Sequence, residues 1–169
     1  MAFFRVKKIK GNEYVYRVEN EWSGKSSRQK VKGYLGRAFR PDLKNNLVFN
    51  EFCKISDIEK YFNDNTIEKI IKDLVEWEIS KYAVEKEKFY IDLESKKIQK
   101  RGKDIVIVIN GGFMCGFTLA NLLEFKTESE EQDGNRLARA FVEAGIKIPE
   151  EIFIGLFAKL YKQPEKEAI

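Results

Sequence analysis

The sequence contains no histidine. That removes the side chain most often used as a general base near neutral pH, and with it Ser/His/Asp and Cys/His nucleophiles and His-ligated zinc. Cysteine is almost as scarce. Cys53 and Cys115 stand 62 positions apart and read as buried thiols rather than as a disulfide. No apolar run approaches the roughly 20 residues that a helix needs to cross a bilayer, so no membrane partner is expected. Residues 1–10 alternate bulky and basic side chains where a secretory signal would be unbroken and apolar, and the expected location is cytoplasmic. Gln, Met and Cys are few while Lys, Glu and Ile abound, a thermophilic bias.

What remains is a chain of 169 residues, 43% apolar and 34% charged. This composition excludes disorder and suits one domain, or a domain with a small appendage. The formal charge of +4 is unevenly distributed. Residues 1–44 hold twelve Lys and Arg against four acids (Glu13, Glu19, Glu21 and Asp42), whereas the other 125 residues hold 19 bases and 23 acids. Such a split points to a polyanion-binding region attached to a near-neutral body.

The first 36 residues read as a three-stranded antiparallel meander. Runs at Phe3–Lys10, Glu13–Trp22 and Arg28–Leu35 are separated by Gly11-Asn12 and by Ser23–Ser27. Alternation is expected to send Phe4, Val6, Tyr14, Tyr16, Val18, Val31 and Leu35 mainly to one side. It leaves Arg5, Lys7, Val15, Arg17, Glu19, Arg28, Lys30, Lys32 and Tyr34 on a cationic other side. So short a sheet is marginal alone, so its apolar face must rest on the rest of the chain.

Gly36–Asn50, with Pro41, Asp42 and Asn45-Asn46, reads as a linker, which divides a basic region 1–45 from a body 46–169. In the body, Ser56 would cap a short helix to Phe62. Asn65 or Thr66 would cap a longer one carrying the stripe Ile67, Ile70, Ile71, Leu74 and Trp77. Phe89–Leu93 and Lys96–Arg101 look like a hairpin, and Ile105–Ile109 suits a central strand, so a second small sheet is expected. Helices follow around Leu119–Phe125, over Gly134–Ala144 and over Pro149–Tyr161, with Gly145 ending one and Pro149 opening the next. Gln163–Ile169 should fray.

The stretch Lys10-Gly11-Asn12-Glu13-Tyr14-Val15-Tyr16-Arg17-Val18-Glu19, with Gly24-Lys25, Arg28-Gln29-Lys30-Val31 and Tyr34-Leu35-Gly36, resembles the N-terminal segment of certain DDE-type transposases and of small archaeal proteins of unknown function. The resemblance covers about a fifth of the chain. It implies a small β-sheet DNA-binding region. The chain has no segment matching a transposase catalytic domain or its acidic triad, so what carries over is DNA binding without chemistry.

Four other features of the sequence bear on function. Asn110-Gly111-Gly112 resembles in outline a strand-to-helix loop that cradles phosphate, although it lacks GxGxxG and the Walker Gly-Lys-Ser/Thr. Glu150 and Glu151 would repel phosphate at the start of a recognition helix, which argues against a helix-turn-helix at Ala144–Glu151 and suits a helix dipole instead. Glu128, Glu130, Glu131 and Asp133 read as a solvated acidic loop. Phe153 and Phe157 read as core, with homo-oligomerisation as their second use.

The sequence therefore points to an α+β protein with a basic three-stranded sheet, a body of about five helices and a second small sheet. The expected function is non-enzymatic binding of nucleic acid, DNA ahead of RNA, without a cofactor. The residues expected to carry it are Arg5, Lys7, Arg17, Arg28, Lys30, Lys32 and Tyr34. An RNA- or ribosome-associated factor, and an enzyme holding a phosphorylated small molecule at Asn110–Gly112, remain the alternatives.

Overall fold

Three of the hairpins are closed by two-residue turns of the same kind. Lys10-Gly11, Arg101-Gly102 and Asn110-Gly111 all have positive φ at both residues, the combination of a type I′ turn, whose twist matches that of the strands it joins. They connect β1 (Ala2–Ile9) to β2 (Asn12–Ser23), β5 (Lys97–Lys100) to β6 (Lys103–Ile109), and β6 to β7 (Gly112–Met114). A fourth two-residue turn, Gly24-Lys25 with positive φ at Gly24 alone, joins β2 to β3 (Ser26–Phe39). Between β4 (Tyr90–Asp92) and β5, Asp92 accepts from the backbone N–H of Glu94 at 3.0 Å and from the Ser95 hydroxyl at 2.6 Å.

The computed structural model describes residues 2–128 and 131–162, so the 163–169 tail and Glu130 of the acidic loop lie outside the described residues. Among the described residues the chain is α+β, as expected, with six helices and seven strands. The two expected sheets are one. β3 pairs in parallel with β6 through Arg37–Ile105, Ala38–Val106 and Phe39–Ile107, giving the order β1-β2-β3-β6-β5-β4, with β7 also on β6. The first four residues of the expected linker, Gly36 to Phe39, are thus strand. Pro41-Asp42 marks the end of β3, not its replacement, and β3's partner lies 68 residues away, beyond the reach of a local reading.

The helices are α1 (Phe49–Phe52), α2 (Ile58–Asp64), α3 (Ile67–Ser80), α4 (Gly116–Leu123), α5 (Asp133–Ala144) and α6 (Glu150–Tyr161). Thr66 caps α3 by accepting from the Lys69 N–H. At α2 the cap is Asp57 rather than Ser56, since the Asp57 carboxylate accepts from the Lys60 N–H at 3.1 Å. α5 ends where Gly145 turns left-handed.

β6 is apolar on both faces because both are covered. Ile105, Ile107 and Ile109 enter the main core with Ile70 and Leu74 of α3, Leu119 of α4, Phe141 of α5 and Leu156 of α6. Val106 and Val108 enter a smaller core with Val15 and Cys115, against which Phe4, Phe113 and Phe117 pack. The N-terminal strands are thereby fixed to the body twice, through the β3–β6 ladder and through this second core. One carboxylate inside the main core is fully satisfied. Buried Glu78 accepts from the Asn110 side chain at 2.9 Å, the Lys147 N–H at 3.2 Å and the Lys81 ammonium at 2.8 Å.

Candidate nucleic-acid interface

The Lys10-Gly11 turn decides which side chains share a face. With two residues in the turn, Ile9 stands opposite Asn12, and each even-numbered residue of β1 stands opposite an odd-numbered residue of β2. Directly opposed residues project to the same side. Phe4 therefore shares a face with Arg17, and Val6 with Val15, whereas Arg5 lies with Tyr16 and Lys7 with Tyr14. The expected division into one greasy and one cationic face is corrected here: it grouped even residues of both strands, which this register forbids.

β3 follows β2 through two irregularities. Leu35 and Lys32 are extra residues, so that Val15 meets Gly36, Tyr16 meets Tyr34, Arg17 meets Gly33 and Val18 meets Val31. Beyond Glu19 there is no β1 left to pair, and Asn20–Ser23 and Ser26–Gln29 continue as a two-stranded ribbon. Residues 20–32 of this ribbon and its base are exposed throughout.

The inner face rests on the body at one end and is charge-balanced at the other. Phe4 packs on Phe113 and Phe117, with ring centroids 5.3 and 6.3 Å apart, and the Arg17 guanidinium lies 4.7 Å from the Phe117 ring centre. Further out, Lys30 pairs with Glu21 at 3.3 Å, and Lys32 reaches Glu21 at 3.0 Å and Glu19 at 3.5 Å. Arg28 stands opposite Glu21. Hydrogen bonds from Lys32 and then Lys30 hold the Glu21 carboxyl below its usual range, and Glu21 in turn raises Lys32. At the turn, Glu13 accepts from Arg40 at 3.1 Å.

The outer face has a different composition. It carries Arg5, Lys7, Asn12, Tyr14, Tyr16, Val18, Asn20, Trp22, Gln29, Val31, Tyr34 and Arg37. None of these is acidic, because Glu13, Glu19 and Glu21, the acids of the three strands, are all odd-numbered positions of β2. The Tyr34 ring sits 5.2 Å from that of Tyr16 and 6.4 Å from that of Tyr14. The Lys7 ammonium lies 4.9 Å from the Tyr16 ring centre. Arg5 donates to the Gln29 side chain at 3.2 Å, and Arg37 to the Asn12 side chain at 2.7 Å. Partial burial, then the neighbouring Tyr16 and Tyr14, push the Tyr34 hydroxyl above its usual pKa, so the ring stays neutral. Tyr34 is nevertheless 57% exposed and Trp22, at the ribbon tip, 79%.

Of the seven residues singled out in the sequence, the structure brings Arg5, Lys7 and Tyr34 together and puts Arg17, Arg28, Lys30 and Lys32 on the opposite side. Tyr14, Tyr16, Trp22, Gln29 and Arg37 also lie on the outer face and are not among those seven. The signal that could have found them is the Lys10-Gly11 turn, whose two-residue length sets the pairing.

Asn110-Gly111-Gly112 is not a helix N-terminus. Asn-Gly is the strongest short hairpin signal, and here it turns β6 back into β7, with α4 starting only at Gly116. The Asn110 amide, though on an exposed residue, is already engaged, donating to Glu78 at 2.9 Å and to the Gly145 carbonyl at 2.8 Å. Among the described residues there is no group of three Cys, Asp or Glu placed to hold a metal ion, and no helix long and apolar enough to cross a membrane.

Comparison with protein-family models finds no match to the chain, and comparisons with curated proteins and with solved structures find none either, so the reading of this surface rests on its own geometry.

Proposed function

We propose that the protein binds nucleic acid, without catalysing a reaction on it, through the outer face of its N-terminal sheet. The observation that carries this reading is the segregation of charge: three cations and a set of aromatic rings share a solvent-facing surface from which every acid of the strands is excluded by register. A merely solvated strand face would mix both signs, as the inner face does through Glu19, Glu21, Lys30 and Lys32. DNA stands ahead of RNA only on the resemblance expected from residues 10–36 of the sequence, and the same surface would serve an RNA-associated factor.

Titration of a labelled oligonucleotide, followed by fluorescence anisotropy at several salt concentrations, tests the reading. Contacts from Arg5, Lys7 and Arg37 correspond to a slope of log K against log salt of about −2 to −3 per chain. The oligomeric state is measured alongside, since a dimer doubles that value. Affinity that does not change between low and high salt contradicts the proposal.

A further inference from the structure

Resting on that reading, we infer that the preferred partner is nucleic acid with unpaired bases, which stack on Tyr34 and Trp22 while the backbone runs along Arg5, Lys7 and Arg37. The rings are presented as a stacking platform needs them. Tyr34 stands between Tyr14 and Tyr16 on the open side of the sheet, so its orientation is held before any ligand arrives, yet more than half of it remains free. Trp22 lies six residues along β2 from Tyr16, about 20 Å away at strand rise, on a ribbon whose residues 20–32 are all exposed among the described residues. Trp22 is 79% exposed, so a large, rigid ring is available at the ribbon tip.

Duplex DNA offers these rings no base faces, because each base is already stacked on its neighbours. A strand with unpaired bases offers one face per nucleotide, and stacking on aromatics tolerates any sequence. The cations are few for a duplex binder but suit a short track beside the rings, and Asn12, Asn20 and Gln29 supply amides that can reach base edges. On the inner face, by contrast, the rings belong to the second core and Lys30 and Lys32 are ion-paired.

The test compares single-stranded DNA, single-stranded RNA of the same sequence, and the corresponding DNA duplex at one ionic strength. The expected result is that a single strand binds at least about tenfold tighter than the duplex and quenches tryptophan emission. That quenching is lost in Trp22→Phe, since Trp77 is buried. Trp22→Ala and Tyr34→Ala should each weaken single-strand binding about five- to a hundred-fold, while Tyr34→Phe, which keeps the ring, should retain it. Trp22→Ala guards against a folding artefact, because its side chain is exposed. Duplex bound as tightly as single strand, with both alanine variants unaffected and Arg5→Gln/Lys7→Gln still weakening binding, would overturn this inference and leave nucleic-acid binding standing. No binding of any of the three probes would overturn both.

Discussion

Arg5 stands directly opposite Tyr16 across the β1–β2 ladder, while its sequence neighbour Phe4 stands opposite Arg17. These two pairings separate the molecule's surfaces. The first places a cation beside an aromatic cluster facing solvent. The second places an aromatic ring and an arginine against Phe117 of the body. The function proposed here depends on that separation, since it is what keeps Glu13, Glu19 and Glu21 away from the rings.

The acids of the inner face mask the lysines beside them. Replacing Glu19 and Glu21 together by Gln frees Lys30 and Lys32 and creates a second cationic patch. Duplex affinity at low salt should rise several-fold, and the salt slope should steepen by up to about 2. Stability should change little, because exposed ion pairs contribute about 0 to 1 kcal/mol each. Binding isotherms of this variant at two salt concentrations check the prediction; an unchanged slope would show that the inner face stays closed to polyanions even when its acids are removed.

Gly36 pairs with Val15 of β2 just before Arg37, the first residue of β3 to pair with β6. Its φ is +140°, and a Cβ there would lie 2.6 Å from the Asp104 carbonyl oxygen and 2.8 Å from the Ile105 Cα. Both are backbone atoms of the partner strand and cannot swing aside. Gly36→Ala should therefore cost about 3 kcal/mol or more, from strain and overpacking combined. Gly33→Ala, where a Cβ meets nothing within 4 Å, should stay within about 0.5 kcal/mol of wild type. Urea unfolding midpoints of the two variants decide the matter, and equal midpoints would contradict it.

Both cysteines should be unreactive in the folded protein. Burial, and next the Asp73 carboxylate, push the Cys53 thiol up to about 11, and burial raises Cys115 as well. The folded state thus holds the Cys53 proton more tightly than the unfolded chain does, so this contribution to stability is complete below about pH 9 and is lost as pH rises toward about 11. Lys32, raised by Glu21, works in the same direction. Iodoacetamide at about pH 8 should label the native protein far more slowly than the urea-unfolded one, and the urea midpoint should fall between about pH 8 and pH 10.5. Equal labelling rates would contradict the burial of Cys115 and the partial burial of Cys53.

Much of the fold is legible in local pattern. The stripe from Ile67 to Trp77 and the Thr66 cap define α3, and the unbroken run Ile105–Ile109 marks the strand covered on both faces. Two things are not legible locally. The parallel pairing of Phe39 with Ile107 is a long-range event that no turn announces. The irregularities at Leu35 and Lys32 change which β3 residues face outward, and nothing in β-propensity singles those positions out. The interface itself is partly legible: Arg5, Lys7 and Tyr34 are conspicuous as bases and an aromatic in a basic segment. Tyr14 and Tyr16 look like core until the two-residue turn is used to set the register, and only then does a mixed aromatic and cationic surface emerge.

The most direct test of that surface compares two double variants that remove the same formal charge from opposite faces of one small sheet. Arg5→Gln/Lys7→Gln removes two cations from the outer face, leaving Arg37, and Lys30→Gln/Lys32→Gln removes two from the inner one, each with small expected effects on stability because the side chains are exposed. Measured by anisotropy on one single-stranded oligonucleotide at low salt, the first should lose about tenfold or more in affinity and flatten the salt slope by about 1.4, while the second should stay within about threefold of wild type. Equal losses in the two variants, or loss confined to the inner-face pair, would contradict the assignment of the outer face as the binding surface.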